Sequence, residues 1–575
     1  MNPSTRLARD LVDGLIAGGV RHVVLAPGSR SAPLAYEVQA ADRAGRLAMH
    51  VRVDERAAGF LALGLAKVTR DPAAVVTTSG TAVANLHPAV LEAHHGLVPL
   101  IVLSADRPLE LRGIGANQTT TQPGLFGDAV RFEAELAAED EADDRRRVIA
   151  AAIRAARWGT DPAAAAADLD LAGPVHLNVA LREPLVPDLD APARSAWASV
   201  QPRTDVHTDA HAIPAERIRL SLPERTLVIL GDLPGPAEAR CLATAFGRLG
   251  LPVLAEPFGE HPLATTAIAH GPLLLSTSWY RTHPPERIVA AGRLTLSRSV
   301  RAALTEDPER VTYVSVGPRW LGPSYPVGEQ ISTSAARLEP RLVTGADPSG
   351  WLTMWRHASS AVAESISSSL AWGTGPGLAA GVVSALPRGS TLMVGSSNSV
   401  RDLELAADWS AVDTIRVVAN RGLAGIDGVV STAVGVALSS DGPTYALVGD
   451  LTFLHDVNAL LIGASEPRPD LTVIVANDDG GGIFSTLEPG ETQRAADFER
   501  IFGTATGARI EDLARAYQIG YARAGSREEL AALVGERPRG LRIVEVPLDR
   551  RRHRSLREHL RALAESATAA LGRTP

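Results

Sequence analysis

Short apolar runs alternate with helical patterns along nearly the whole chain, and this alternation restricts the fold more than any other feature. The best strand candidates are His22–Ala26, Ala74–Thr78, Leu100–Ser104, Leu227–Leu230, Leu392–Gly395, Tyr445–Val448 and Leu471–Ala476. Strands separated by helices imply α/β architecture with parallel sheets. At 575 residues the chain is too long for one core, and domains of ~150–200 residues predict three of them. Two Pro- and Gly-rich breaks mark the boundaries. Leu185–Pro202 holds Pro187, Pro192 and Pro202, and Glu339–Gly350 holds Pro340, Gly345 and Pro348. Both read as linkers. The expectation is therefore three doubly wound parallel-sheet domains, over 1–185, 203–340 and 350–575.

Composition narrows the function classes. Aromatic residues make up only 4% of the chain, so the core must rest on Ala, Val and Leu. The net charge is −8 and Arg is scattered, which argues against a nucleic-acid surface. No stretch approaches the ~20 apolar residues of a membrane span. Arg6, Arg9 and Asp10 stand where a signal sequence would be apolar, so the expected location is cytoplasmic. The single cysteine, Cys241, excludes an internal disulfide and reads as a small buried residue. The Ala163–Ala167 run and the charged Glu139–Arg147 stretch read as exposed helix, and the basic run Asp549–Arg557 as a solvated face.

The first and third domains resemble each other. Residues 73–106 and 444–478 both run strand, Gly-containing turn, helix, strand and polar tip. A small-residue helix precedes each, Ala57–Ala66 in one case and Ser431–Leu438 in the other. Two copies of one doubly wound unit would offer two loop sets across a shared cleft.

In the second copy an acidic residue follows a strand at Gly449-Asp450, and Asn477 ends the next strand, 27 positions on (477 − 450). Open α/β sheets bind ligands at the carboxyl ends of their strands. A carboxylate and an amide oxygen are hard donors suited to Mg²⁺, which takes phosphate oxygens for much of its shell. Gly449 and Gly480–Gly482 let backbone approach a diphosphate. Alternatively, Asp450 is a helix N-cap and Asn477 a turn former.

This spacing resembles the thiamine-diphosphate signature. The resemblance implies Mg²⁺ (or Mn²⁺) on Asp450, Asn477 and the backbone carbonyl of Asp479. Members often read Gly-Asp-Gly and Asn-Asn, where this chain has Leu451 after the Asp and Ala476 before the Asn. The family also needs a carboxyl group on the aminopyrimidine to promote ylid formation. Glu55, leading an apolar helix in DERAAGF, matches it. A helix N-terminus favours an acidic residue anyway. In the family this glutamate and the diphosphate site come from different subunits, which implies a homo-oligomer.

Six strings extend the resemblance over nearly the whole chain: APGSRSAPL (26–34), DERAAGF (54–60), SADRPLELRGIGANQT (104–119), NRGLAGIDG (420–428), GDLTFLHDVNAL (449–460) and NDDGGGIF (477–484). Together they resemble the 2-succinyl-5-enolpyruvyl-6-hydroxy-3-cyclohexene-1-carboxylate synthases of menaquinone biosynthesis. The resemblance implies decarboxylation of 2-oxoglutarate on thiamine diphosphate and 1,4-addition of the resulting carbanion to isochorismate. Two substrates with four carboxylates between them need guanidinium groups, which grip carboxylates bidentately. The candidates are Arg30, Arg107, Arg401 and Arg421, with Arg298, beside Ser297, from the middle domain. Ile426 matches the residue that props the cofactor. Ser29, Gln118, Ser397, Ile483 and Phe484 match the substrate cavity, with Gly449, Leu451 and Gly482 beside the cofactor.

Other features lead elsewhere. LVILGDLPG (227–235) and GTGPG (373–377) do not complete a dinucleotide fingerprint or a P-loop, and the middle domain reads as a nucleotide fold without its nucleotide. His207 and His211 stand at zinc-ligand spacing but have no Cys partner. Two rival functions remain: another thiamine-diphosphate enzyme acting on a 2-oxoacid, and a binding protein that has kept the fold without the chemistry.

Overall fold

The computed structural model describes residues 1–160, 171–188, 197, 217–259, 266–316, 322–408 and 415–571. The first sheet contains β1 (His22–Leu25), β2 (Ala48–Val51), β3 (Ala73–Thr77), β4 (Leu100–Asp106), β5 (Glu133–Ala137) and β6 (Pro174–Ala180). The middle region contains β7 (Ile218–Leu222), β8 (Thr226–Leu230), β9 (Val253–Ala255), β10 (Arg287–Ala291), β11 (Val311–Ser315), β12 (Glu329–Ser332) and β13 (Leu338–Leu342). The last sheet contains β14 (Thr391–Val394), β15 (Arg416–Val418), β16 (Thr444–Gly449), β17 (Leu471–Asn477), β18 (Gly520–Arg523) and β19 (Leu541–Pro547). Every strand pairing is parallel. All seven strands expected from sequence are present, displaced by no more than two residues at either end.

The strand orders are β2-β1-β3-β4-β6-β5 in the first sheet and β15-β14-β16-β17-β19-β18 in the last. Subtracting thirteen from each number in the second order returns the first, so the two outer domains are copies of one topology. The repeat read from 73–106 and 444–478 is the central strand pair of each copy, β3-β4 and β16-β17. The middle region is different, with β12-β11-β10-β8-β9 in one sheet and β13-β7 as a separate pair.

The outer domains share one core. The helix Glu55–Thr69 packs against the helix Val429–Ser439, and residues from both lie in the same buried cluster. Glycine makes the contact possible. A Cβ on Gly64 would lie 2.2 Å from the Thr432 carbonyl oxygen, and one on Gly435 would lie 2.4 Å from that of Leu61. Helices approaching this closely carry small residues where their backbones touch.

Three surface readings need correction. Arg145, in the Glu139–Arg147 stretch, is buried and ion-paired to Asp10 at 2.5 Å, so that part of the helix Ala142–Trp158 faces inward. Cys241 is only half-buried, and its thiol lies 3.4 Å from the Ala335 carbonyl. The basic run at 549–557 turns toward the protein, as described below. His207, His211, Ala163–Ala167 and most of the first linker lie outside the described residues. Among the described residues, no helix is long and apolar enough to cross a membrane.

Candidate active site

β16 ends at Gly449, and Asp450 opens the helix Asp450–His455. The Asp450 carboxylate is therefore set at the strand's carboxyl end, 3% exposed, where its Oδ2 accepts the Gly480 N–H at 2.8 Å. Burial, and after it the charge of Asp478, pushes the Asp450 carboxyl up to about 7. A cation would relieve that uncompensated charge. Beyond β17 the chain turns through Asp479 at φ +52° and Gly480 at φ +143°. A Cβ at Gly480 would fall 1.9 Å from the Gly503 carbonyl oxygen, so glycine is obligatory there.

These two strand ends enclose a cavity of about 150 Å³. Ser397, Ile426, Gly449, Asp450, Leu451, Gly482, Ile483 and Phe484 all line it, as do Asp478 and His553. Asn477 and Asp479 do not. The Asn477 amide donates through Nδ2 to Glu545 Oε1 at 2.8 Å, while its Oδ1 accepts the Asp479 N–H at 3.1 Å. Glu545 is itself fixed by the Tyr521 hydroxyl at 2.6 Å. The Asp479 carboxylate accepts the Thr506 and Gly507 N–H groups, and its carbonyl accepts from Arg550. The two-residue period of a strand puts Asp478 on the side opposite Asn477. Asp478 therefore supplies the wall, with its Oδ2 2.7 Å from His553 Nε2.

The basic run closes this loop from outside. Arg550 donates to the Asp478 and Asp479 carbonyls. Arg554 donates to the carbonyls of Ser485 at 2.9 Å and Leu487 at 2.5 Å. Arg557 bonds Asp402, another lining residue, at 2.7 Å. Sequence reasoning missed these three arginines and His553 because a cluster of charges at a helix start most often faces water. The acidic and carbonyl-rich 478–487 segment was the signal that could have indicated their partner.

The arginines fall into two sets. Arg30 follows β1 and Arg107 follows β4; Arg107 is 9% exposed and donates to the Gln118 carbonyl at 2.8 Å and to Ser79. Burial, and then the neighbouring Arg107, lowers the Arg30 guanidinium from its usual value. Ser29 and Gln118 are exposed beside them. In the last domain, Arg401 donates to the Ser397 carbonyl at 2.7 Å, and Arg421 donates to the Thr295 hydroxyl at 2.5 Å. Burial and the charge of Arg421 lower Arg401 in turn. Like charges gathered in a buried place suit an anionic ligand. Arg298 is different: 76% exposed, it pairs with Glu488 on the surface at 3.1 Å. Glu55, half-buried at the start of its helix, is absent from the cavity wall, which is built wholly from residues 375–553 of the same chain.

The fold and this cavity agree with comparisons to known proteins. The thiamine pyrophosphate enzyme N-terminal TPP binding domain matches residues 5–129, and the C-terminal TPP binding domain matches residues 406–544. The curated 2-succinyl-5-enolpyruvyl-6-hydroxy-3-cyclohexene-1-carboxylate synthase of Saccharopolyspora erythraea is 45% identical over 99% of this chain and 100% of its own length. The chain belongs to that synthase family. The synthases of Rhodococcus erythropolis and Kineococcus radiotolerans are 44% and 43% identical, covering 98% and 99% of the chain and the whole of each relative.

Membership in the synthase family makes this a thiamine-diphosphate-dependent enzyme that forms C–C bonds. The cavity fits the cofactor's diphosphate end. Gly449 and Gly480–Gly482 line it together with Ile426 and the buried Asp450 carboxylate. Among the described residues, no three His, Cys, Asp or Glu side chains converge to hold a metal unaided. A cation here would take further ligands from backbone and diphosphate, as Mg²⁺ commonly does.

Proposed function

We propose that the chain decarboxylates 2-oxoglutarate and adds the four-carbon fragment to isochorismate by 1,4-addition, with loss of CO₂, in menaquinone biosynthesis. The observation that carries this reading is the cavity at the ends of β16 and β17, within a chain that aligns end to end with synthases of this name. When bound, thiamine diphosphate supplies the electron sink for the decarboxylation. Asp450 and Asp478 would hold its Mg²⁺ or Mn²⁺, with Asn477 fixing the turn through Glu545. The family resemblance implies a different shell, Asp450, Asn477 and the Asp479 carbonyl.

Glu55 would serve the cofactor of a second copy of the chain, bonding the aminopyrimidine and moving its proton. The absence of Glu55 from its own chain's cavity wall supports a homo-oligomer with shared sites. Arg30, Arg107, Arg401 and Arg421 would bind the substrate carboxylates, with Ser29, Gln118 and Ser397 adding polar contacts and Ile483 and Phe484 keeping water out. Arg298 would act at the rim, because a surface ion pair adds little. The cytoplasm is the compartment we propose.

The test is turnover with 2-oxoglutarate and isochorismate, with and without thiamine diphosphate. CO₂ release that requires both isochorismate and the cofactor is expected. Release that is indifferent to isochorismate would mark a simple 2-oxoacid decarboxylase instead.

A further inference from the structure

The loop 420–428, between β15 and the helix Val429–Ser439, carries Arg421 and Ile426, and all three domains hold it. From the first domain, the helix His87–Gly96 brings Glu92 against it, 4% exposed. Glu92 Oε1 accepts the Gly422 N–H and Oε2 accepts the Leu423 N–H, each at 2.7 Å. Gly422 permits the approach, since a Cβ there would lie 2.5 Å from the Glu92 carbonyl oxygen. From the middle domain, Thr295 receives Arg421, and Arg293 donates to the Gly422 carbonyl at 3.4 Å.

Packing beside Leu423 is incomplete. A cavity of about 230 Å³ lies between Phe60, His87 and Leu91 on one side and Asn420, Leu423 and Gly425 on the other. The loop is fastened here by hydrogen bonds to a buried carboxylate. A buried carboxylate is costly unless its bonds compensate, and bonds from backbone N–H to a charged acceptor are among the stronger ones. Both oxygens of Glu92 are spent on consecutive N–H groups immediately after Arg421. Those bonds set the direction in which the Arg421 side chain leaves the backbone.

We propose that Glu92 is a positioning residue for the reaction: through Gly422 and Leu423 it aims the Arg421 guanidinium at the substrate carboxylate, without touching substrate itself. This rests on the reading of Arg421 as a substrate-binding residue. Small displacements of a carboxylate clamp are expensive, because binding energy depends on alignment.

The test is a double-mutant cycle on the holoenzyme with Glu92→Gln, Arg421→Ala and the double variant, reading KM for each substrate, kcat and the thermal midpoint. Glu92→Gln keeps the shape but turns an NH₂ toward a backbone N–H. It should raise KM roughly tenfold for the same substrate whose KM rises in Arg421→Ala. The double variant should match Arg421→Ala within about twofold, since the two residues act as one unit. Losses that multiply in the double variant would overturn the proposal, as would a lower thermal midpoint in Glu92→Gln with both KM values unchanged. If Arg421→Ala leaves both KM values at the parent level, the reading of Arg421 fails, and the proposal with it. Should Glu92→Gln not fold, Glu92→Asp keeps both acceptor oxygens one methylene further back. It should give the same non-additive pattern in weaker form, and additive losses would overturn the proposal equally.

Discussion

At the scale of single residues, the 477–479 turn shows how little separates a side chain that faces the cavity from one that supports the turn. Asn477 and Asp478 are adjacent and both polar, yet one amide is spent on Glu545 and Asp479 while the other side chain faces the cavity. Removing each should therefore have different consequences. Asp478→Ala is expected to abolish Mg²⁺-dependent binding of thiamine diphosphate, measured by calorimetry. Asn477→Ala should weaken it by about 10–100-fold, the usual loss for an outer-shell partner. Equal losses in the two variants would mean that Asn477 turns into the site when the cofactor binds. His553, against Asp478 and 4% exposed, belongs to the same cluster, and nothing near it in sequence marks it.

At the scale of elements, two devices hold the site. One is the pair of small-residue helices, Glu55–Thr69 and Val429–Ser439, whose glycines allow backbone contact. The other is the basic start of the terminal helix His553–Leu571, preceded by the turn Arg550–Arg552. Arg550 and Arg554 donate to carbonyls of the 478–487 loop, among them those of Asp478 and Ser485. Arg554→Ala takes the donor from the Ser485 carbonyl and one of two donors from the Leu487 carbonyl, which keeps the Gly490 N–H, at a cost of about 1–3 kcal/mol if the first stays dry. The expected result is weaker cofactor binding with a thermal midpoint lowered by only a few degrees, read by calorimetry and by melting with and without cofactor. A large drop in midpoint with unchanged cofactor affinity would show that the terminal helix serves the fold rather than the loop.

At the scale of the whole molecule, the two outer domains share a topology and a core, yet a single chain does not bring Glu55 to the cavity. If a second copy supplies it, two inactive variants should rescue each other. Glu55→Gln and Asp450→Asn chains, each inactive alone, should regain about a quarter of the parent activity when co-folded in equal amounts. Half of the dimers would then be mixed, with one intact site of two in each. Mixtures that stay inactive would place the glutamate and the metal site in the same chain.

The α/β class and seven strands were legible in the chain because buried parallel strands are short apolar runs between turn residues, a purely local signal. The Gly449-Asp450 step was legible for the same reason, since a charged residue directly after such a run must sit at a strand end. Which of Asn477, Asp478 and Asp479 faces the cavity was not, because side-chain direction at a strand end depends on the partner strand, here β19 with Glu545. Nor was the role of residues 550–557: the partners of Arg550 and Arg554 lie 72 and 69 positions earlier in the chain, and that of Arg557 lies 155 earlier. Glu92 was invisible as well: its oxygens bind loop N–H groups 330 and 331 positions away. Local periodicity reports which face of an element is buried. Only the packing of distant elements decides what that face meets.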